Sequence, residues 1–173
     1  VLDGLEYFHH SGHIHRDLKP SNILLKSDTS DGKITAKIAD FGLSRSYVNM
    51  GGARLTRTGE FAGSLYYTPP EQIVNFARVG PTADIYSVGV TLYEMLCGSL
   101  PYNFGPCRDE KSFKDSLLTV LEDNITPIRQ RDPNVPESLA AIVEKAIDKD
   151  PNRRYASAKS FKLALSELIK ATP

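Results

Sequence analysis

The sequence has 173 residues, of which 40% are hydrophobic and 24% charged, a composition typical of one globular domain with a sizeable core. Lysine plus arginine and aspartate plus glutamate both number 21, so the zero formal charge gives no electrostatic footprint for nucleic acid or an acidic membrane surface. No apolar run reaches the length of a membrane span, and Cys97 and Cys107 lack metal-ligand spacing. These features predict a cytoplasmic domain with free thiols, leaving open whether a longer parent protein is tethered to a membrane.

The first forty residues predict a helix followed by a small β-hairpin. Leu2, Leu5 and Phe8 share one helical stripe that stops near Gly12. Because no capping residue precedes this stripe, we expect the sequence to start inside a helix of a longer protein. Alternating or continuous apolar residues then predict strands at 23–25 and 34–38, separated by a turn-forming SDTSDG segment.

The remainder of the chain predicts one long loop and then helices. Residues 40–71 are rich in Gly, Ser, Thr and Arg without a sustained period, which is typical of a functional loop. Residues 82–97 are apolar on most helical faces and predict a helix buried on all sides that ends at Gly98. Helical spacing predicts three more helices around residues 113–121, 139–147 and 161–169, the last capped by Ser157. The predicted fold class is therefore mainly α with one small β-hairpin.

The segment HHSGHIHRDLKPSN, residues 9–22, brings several chemically active side chains together. Asp17 could accept a proton from a hydroxyl, Lys19 could hold a phosphate oxygen, and Asn22 could ligate a hard cation. Asp40 opens the triplet DFG directly after the second predicted strand and supplies a second oxygen ligand. This set of groups suits in-line phosphoryl transfer with magnesium.

These residues allow two other interpretations. The four histidines could form a zinc site, but His9 and His10 are adjacent at a helix end, so tetrahedral geometry is disfavoured. We expect His9, His10 and His13 to be solvated or hydrogen-bonded to helix-terminal carbonyls. The second interpretation treats Asp17 and Asp40 as ordinary loop-capping residues.

HRDLKPSN followed by DFG resembles the catalytic and magnesium loops of eukaryotic-type (Hanks-type) Ser/Thr protein kinases. Three later segments resemble further motifs of that family in the same order: TPPE at 68–71, ADIYSVG at 83–89 and DPNRRY at 150–155. The stretch GSLYYTPPEQ is most similar to bacterial members. Because the glycine-rich loop, the strand lysine and its glutamate partner are absent from the sequence, the resemblance implies a C-terminal lobe without its N-terminal lobe, running over residues 1–173 from the middle of helix αE to αI.

The resemblance implies catalytic and binding roles for six residues. Asp17 would be the catalytic base, and Lys19 would neutralise the transferring phosphoryl group of ATP. Asn22 and Asp40 would hold Mg²⁺. The remaining two roles fall to Leu24, as the floor under the adenine, and to Ser64, which would contact Asp17 and Lys19 from the substrate-binding loop.

Structural and regulatory roles follow from the same resemblance. His15 and Phe41 would stack in an internal spine, and Asp84 would tie the catalytic-loop backbone to the central helix. Glu71 would form a largely buried ion pair with Arg154. Arg16, next to the base, implies regulation by a phosphorylated loop, for which the expected sites are Thr56 and Thr58.

The resemblance implies that the parent protein transfers the γ-phosphoryl group of ATP, with Mg²⁺, to Ser or Thr of a protein substrate. Its expected partners are that substrate and the missing N-terminal lobe of the same chain, with no nucleic acid and no membrane span in this segment. The chain by itself is expected to be inactive. Two alternatives remain open at this point: a pseudokinase scaffold that binds a partner, and a small-molecule phosphotransferase of related fold.

Overall fold

The computed structural model describes residues 1–27, 32–40 and 63–171. Residues 28–31 of the predicted turn and the predicted site residues Phe41, Thr56 and Thr58 therefore lie outside the described residues. In the part that is described, the chain is mainly helical with one two-stranded antiparallel sheet. The predicted fold class is confirmed at that level.

The elements run in chain order from helix α1 to helix α7. The strands are β1 (Ile23–Ser27) and β2 (Ile34–Ile38). The helices are α1 (Leu2–His10), α2 (Pro70–Val74), α3 (Thr82–Cys97), α4 (Glu110–Glu122), α5 (Ile128–Arg131), α6 (Glu137–Ala146) and α7 (Ala158–Ala171).

Helix ends follow the local chemistry of the sequence. Gly12 and Gly98 follow α1 and α3 with φ of 79° and 63°, a left-handed conformation that glycine adopts without steric cost. The predicted cap of α7 is confirmed, because the Ser157 hydroxyl accepts the Ser160 backbone N–H at 3.1 Å. Helix α4 begins with a reciprocal capping box between Asp109 and Ser112.

The hairpin places the ends of both strands beside the loop that follows α1. Ile23 pairs with Ile38 and Ser27 pairs with Ile34, so β1 is two residues longer than predicted. Ile38 packs on the core at the end of the hairpin away from the turn, whereas Leu24, Leu25 and Ile34 are 58%, 71% and 65% exposed. The hairpin therefore exposes apolar side chains on both of its faces, Leu24 on one and Leu25 with Ile34 on the other, which together are called the apolar surface of the hairpin.

Helix α3 is the centre of the molecule. One core cluster joins it to α5 and α6, and a second joins it to α1 and α7. The prediction of complete burial holds from Ala83 to Thr91 but is wrong for the last turn, where Met95 is 75% exposed. Gly89 allows α6 to approach closely, since a Cβ there would lie 2.7 Å from Ile147 Cγ2 and 2.9 Å from Ala146 Cβ.

Helix α1 packs against α7, near the other end of the chain. Leu5 is fully buried in one cluster with Ala158 and Phe161. Around that contact, the Glu6 carboxylate accepts the Lys159 backbone N–H at 2.8 Å in the first turn of α7. An exposed ion pair between Asp3 and Lys162 closes the same interface.

Candidate active site

The loop between α1 and β1 is held by one buried carboxylate, that of Asp84 in the first turn of α3. Its oxygens accept the backbone N–H groups of His15 at 2.9 Å and Arg16 at 2.8 Å. His9 Nε2 donates to the same carboxylate at 2.8 Å. Because a buried carboxylate is costly without donors, these hydrogen bonds fix α1, the loop and α3 relative to one another.

The side chains of the four histidines contact separate groups and do not converge on one shared partner. The expectation that His9 is solvated or bound to a helix-terminal carbonyl is wrong, since its side chain is only 7% exposed against Asp84. His10 Nδ1 lies 3.0 Å from the Glu6 carbonyl oxygen, and His13 stacks on Phe8 with ring centroids 5.2 Å apart. His15 Nε2 lies 2.9 Å from the Ala39 carbonyl oxygen, which joins the loop to the end of β2.

Asp17, Lys19 and Ser64 meet although Ser64 lies far along the chain. Lys19 Nζ is 3.3 Å from Asp17 Oδ2 and donates to Ser64 Oγ. The Ser64 carbonyl oxygen accepts the buried Thr68 hydroxyl at 3.0 Å, which fixes the turn that carries the serine. A carboxylate, an ammonium group and a hydroxyl are thereby brought to one point of the surface, where the carboxylate and the ammonium group remain partly exposed.

Asn22 and Asp40 lie at the paired ends of the two strands. The Asn22 carbonyl oxygen accepts the Ala39 N–H at 2.9 Å. This hydrogen bond extends the strand pairing by one residue beyond Ile23 and Ile38, and Asp40 follows immediately after it. Asn22 Nδ2 donates to the Asp17 carbonyl oxygen at 2.8 Å, so Oδ1 is the amide atom left for a cation. An amide oxygen and a carboxylate are hard ligands, so this pair fits Mg²⁺.

Glu71 and Arg154 form a bidentate ion pair with N–O distances of 2.7 and 2.8 Å. The Arg154 side chain is fully buried and also donates to the carbonyl oxygens of Asp148 at 2.7 Å and Thr82 at 3.0 Å. The pair therefore anchors α2 to the segment that precedes α7.

Sequence reasoning missed two polar residues that hold the same region. Gln72 is buried in α2, and its Nε2 donates to the Arg16 carbonyl oxygen at 2.8 Å. Tyr67 donates its hydroxyl to Glu94 at 2.6 Å, and burial together with this carboxylate raises the pKa of Tyr67 well above its ordinary value. Both lie in the segment GSLYYTPPEQ, which is the one sequence signal that pointed to them.

None of the described helices has both the length and the apolar character needed to cross a bilayer. In the same residues, no cluster of three or more His, Cys, Asp or Glu side chains is arranged to bind a metal ion.

The sequence profile of the family described as Protein kinase domain matches residues 1–164. The chain therefore belongs to the protein kinase domain family.

Its similar relatives are bacterial and are named as serine/threonine-protein kinases. The chain is 36% identical over its whole length to a probable serine/threonine-protein kinase of Clostridium perfringens, of which it covers 23%. It is 34% identical over 90% of its length to the probable serine/threonine-protein kinase PknB of Lactococcus lactis, of which it covers 22%. It is 35% identical over 91% of its length to PknL of Mycobacterium tuberculosis, of which it covers 36%. The predicted family is confirmed, and the chain spans less than two fifths of each of these relatives.

Proposed function

We propose that residues 1–173 form the C-terminal lobe of a Ser/Thr protein kinase and that the parent protein transfers the γ-phosphoryl group of ATP to Ser or Thr of a protein substrate. The observation that carries this proposal is the meeting of Asp17, Lys19 and Ser64 beside the Asn22–Asp40 strand ends. Such a constellation supplies positioning and charge stabilisation, which are what phosphoryl transfer requires from a protein.

Each side chain has a definite task in this proposal. The Asp17 carboxylate accepts the proton of the acceptor hydroxyl, and Lys19 Nζ neutralises charge on the transferring group. Ser64, bound to Lys19, aligns the substrate-binding turn with that reaction centre. Asn22 Oδ1 and Asp40 would hold Mg²⁺, which supplies charge neutralisation at the phosphates when bound.

The apolar surface of the hairpin supports the lobe assignment. Leu24, Leu25 and Ile34 are more than half exposed, and Leu24 follows Asn22 by only two residues. We assign this surface to the adenine of ATP and to an N-terminal lobe that covers it, with Leu24 as the floor under the base. Burying these side chains would remove an apolar area that water otherwise contacts.

The test is radiolabelled phosphate transfer from ATP to a protein substrate by the full-length parent protein. Asp17→Asn should abolish transfer, whereas Asp115→Asn, an exposed carboxylate on α4, should leave it unchanged. Phosphoamino-acid analysis should find the label on serine or threonine. Transfer that persists in Asp17→Asn would contradict the base assignment, and an unsubstituted protein without transfer would favour a scaffold instead.

A further inference from the structure

Gln72 is a buried polar residue that the proposed chemistry has not yet used. Its side chain is 1% exposed, and its Nε2 lies 2.8 Å from the Arg16 carbonyl oxygen. The direction of the amide is fixed by chemistry, because a carbonyl oxygen only accepts and must therefore face the amide nitrogen. Within the described residues Gln72 Oε1 has no hydrogen-bond partner, so the hydrogen bond that the buried amide makes there is the one donated by Nε2.

The carbonyl that Gln72 contacts belongs to the peptide group joining Arg16 to Asp17. Arg16 has φ of 66°, in the left-handed region where a side chain with a Cβ is strained. A strained backbone of this kind persists only where surrounding contacts hold it. The orientation of Asp17, the next residue, depends on that peptide group.

Other hydrogen bonds hold the N–H groups on either side of this carbonyl. The Arg16 N–H donates to Asp84 at 2.8 Å, and the Asp17 N–H makes a long hydrogen bond of 3.4 Å to His15 Nδ1. Gln72 supplies the hydrogen bond to the carbonyl oxygen between them. The peptide group that precedes Asp17 is thereby held at both of its polar groups, at the carbonyl oxygen by Gln72 of α2 and at the N–H by His15.

We propose that Gln72 is a positioning residue for Asp17. Its amide donor fixes the Arg16–Asp17 peptide group, so that the Asp17 carboxylate stays directed towards Lys19 and the acceptor hydroxyl. This inference rests on the proposed role of Asp17 as the base. The neighbouring Glu71 binds Arg154. Two consecutive side chains of α2 therefore connect the catalytic loop, through Gln72, with the buried Arg154 near α7, through Glu71.

The main test compares two variants of the full-length parent protein. Gln72→Met keeps a similar volume but removes the donor, and it should lower kcat at least tenfold while leaving KM for ATP within twofold. Tyr93→Phe is the matched control, because it removes another buried hydrogen bond, from the Tyr93 hydroxyl to the Thr126 carbonyl oxygen at 2.7 Å, away from the catalytic loop. Tyr93→Phe should lower Tm without changing kcat.

A purely structural role for Gln72 makes a different prediction. In that case Gln72→Met would resemble Tyr93→Phe, with a lower Tm and an unchanged kcat, and the inference would be overturned while the proposed function stood. An unsubstituted protein without phosphate transfer would overturn the proposed function and this role together.

A second variant and a measurement on the unsubstituted protein cover the case in which Gln72→Met does not fold. Gln72→Glu keeps the side-chain shape, but an ionised carboxylate has no hydrogen to donate, so the same tenfold loss of kcat is expected. In the unsubstituted protein the Gln72 side-chain amide hydrogens should exchange slowly with deuterium. Rapid exchange of those hydrogens would show that the hydrogen bond does not form and would overturn the inference.

Discussion

Asp84 shows how one residue organises the candidate site. Its carboxylate receives a side-chain donor from α1 and two backbone donors from the loop, so it orients the segment that carries Asp17 without itself reaching the surface. Hydrogen bonds to a charged acceptor are stronger than neutral ones, each contributing about 1.5–3 kcal/mol. At the residue scale, the site is therefore a loop held by buried polar contacts.

The proposed metal ligands should differ in importance. In the full-length parent protein, Asp40→Ala should abolish phosphate transfer, because the metal loses its charged ligand. Asn22→Ala should reduce transfer less completely, since it removes a neutral oxygen ligand together with the donor to the Asp17 carbonyl oxygen. The measurement is the initial rate against magnesium concentration, and an unchanged rate in Asp40→Ala at ordinary magnesium would refute the metal assignment.

Arg16 is the residue through which phosphorylation of Thr56 or Thr58 is proposed to act. Its guanidinium lies over the Phe76 ring at 5.0 Å, and its buried Nε has no hydrogen-bond partner among the described residues. A phosphothreonine brings about −1.5 to −2 charges and can form charge-assisted hydrogen bonds to such a group.

The double change Thr56→Ala with Thr58→Ala should therefore lower activity substantially. Arg16→Ala should lower it as well, with no further loss when the three changes are combined. Activity assays and mass spectrometry of the active protein test this. Full activity in the double variant, or active protein with both threonines unmodified, would exclude the switch and leave the catalytic assignment intact.

At the scale of elements, α2 depends on the ion pair that its second residue makes. The helix has five residues, too few to be stable by itself. Glu71→Gln should lower the free energy of unfolding by about 3–5 kcal/mol, because it leaves the fully buried Arg154 without its counter-charge. Glu110→Gln, which breaks an exposed ion pair with Lys114, should change it by less than about 1 kcal/mol. Denaturant titration measures both, and equal effects would contradict the assigned anchor.

The contact between α3 and α6 makes a second prediction at this scale. Gly89→Ala should destabilise the protein by about 1–3 kcal/mol, because the added methyl group would overlap Ile147 and Ala146. Helix propensity alone predicts the opposite sign, since alanine favours a helix over glycine. Gly105→Ala is the control, as its Cβ would meet no atom within 4 Å. A higher Tm for Gly89→Ala would show that the helices separate without cost.

Helices of several turns could be predicted from the sequence, whereas helices of a single turn could not. Helices α3, α4, α6 and α7 contain enough residues for apolar spacing to be recognised. Helices α2 and α5 have five and four residues, so no period can establish them, and the first two residues of α2 fall in the predicted loop of residues 40–71.

The candidate site likewise contains residues that the sequence predicts and contacts that it does not. Asp17, Lys19 and Asn22 are close in sequence and form a recognisable motif. The contacts of Gln72 with Arg16 and of His9 with Asp84 join residues 56 and 75 positions apart, and no local pattern encodes them. They could be found only once the packing of the helices was known.

At the scale of the whole molecule, the apolar surface of the hairpin predicts that this chain is incomplete as a catalyst. The isolated chain should transfer phosphate to protein at no useful rate, because the residues proposed to bind the acceptor hydroxyl are present, whereas Leu24, proposed to contact adenine, is an open surface. Radiolabelled transfer by the purified chain tests this. Label transfer that Asp17→Asn abolishes would show that one lobe is sufficient.

The contact between α1 and α7 also governs the order in which the protein can fold. Glu6 and Lys159 are 153 positions apart, and at about 5–20 residues per second a ribosome needs roughly 8–30 s to add the residues between them. Until α7 emerges, Leu5 lacks the partners Ala158 and Phe161 that bury it. The apolar stripe of α1 therefore stays incompletely covered during most of the synthesis of the described residues, and a chaperone that binds it in that interval would protect it from wrong partners.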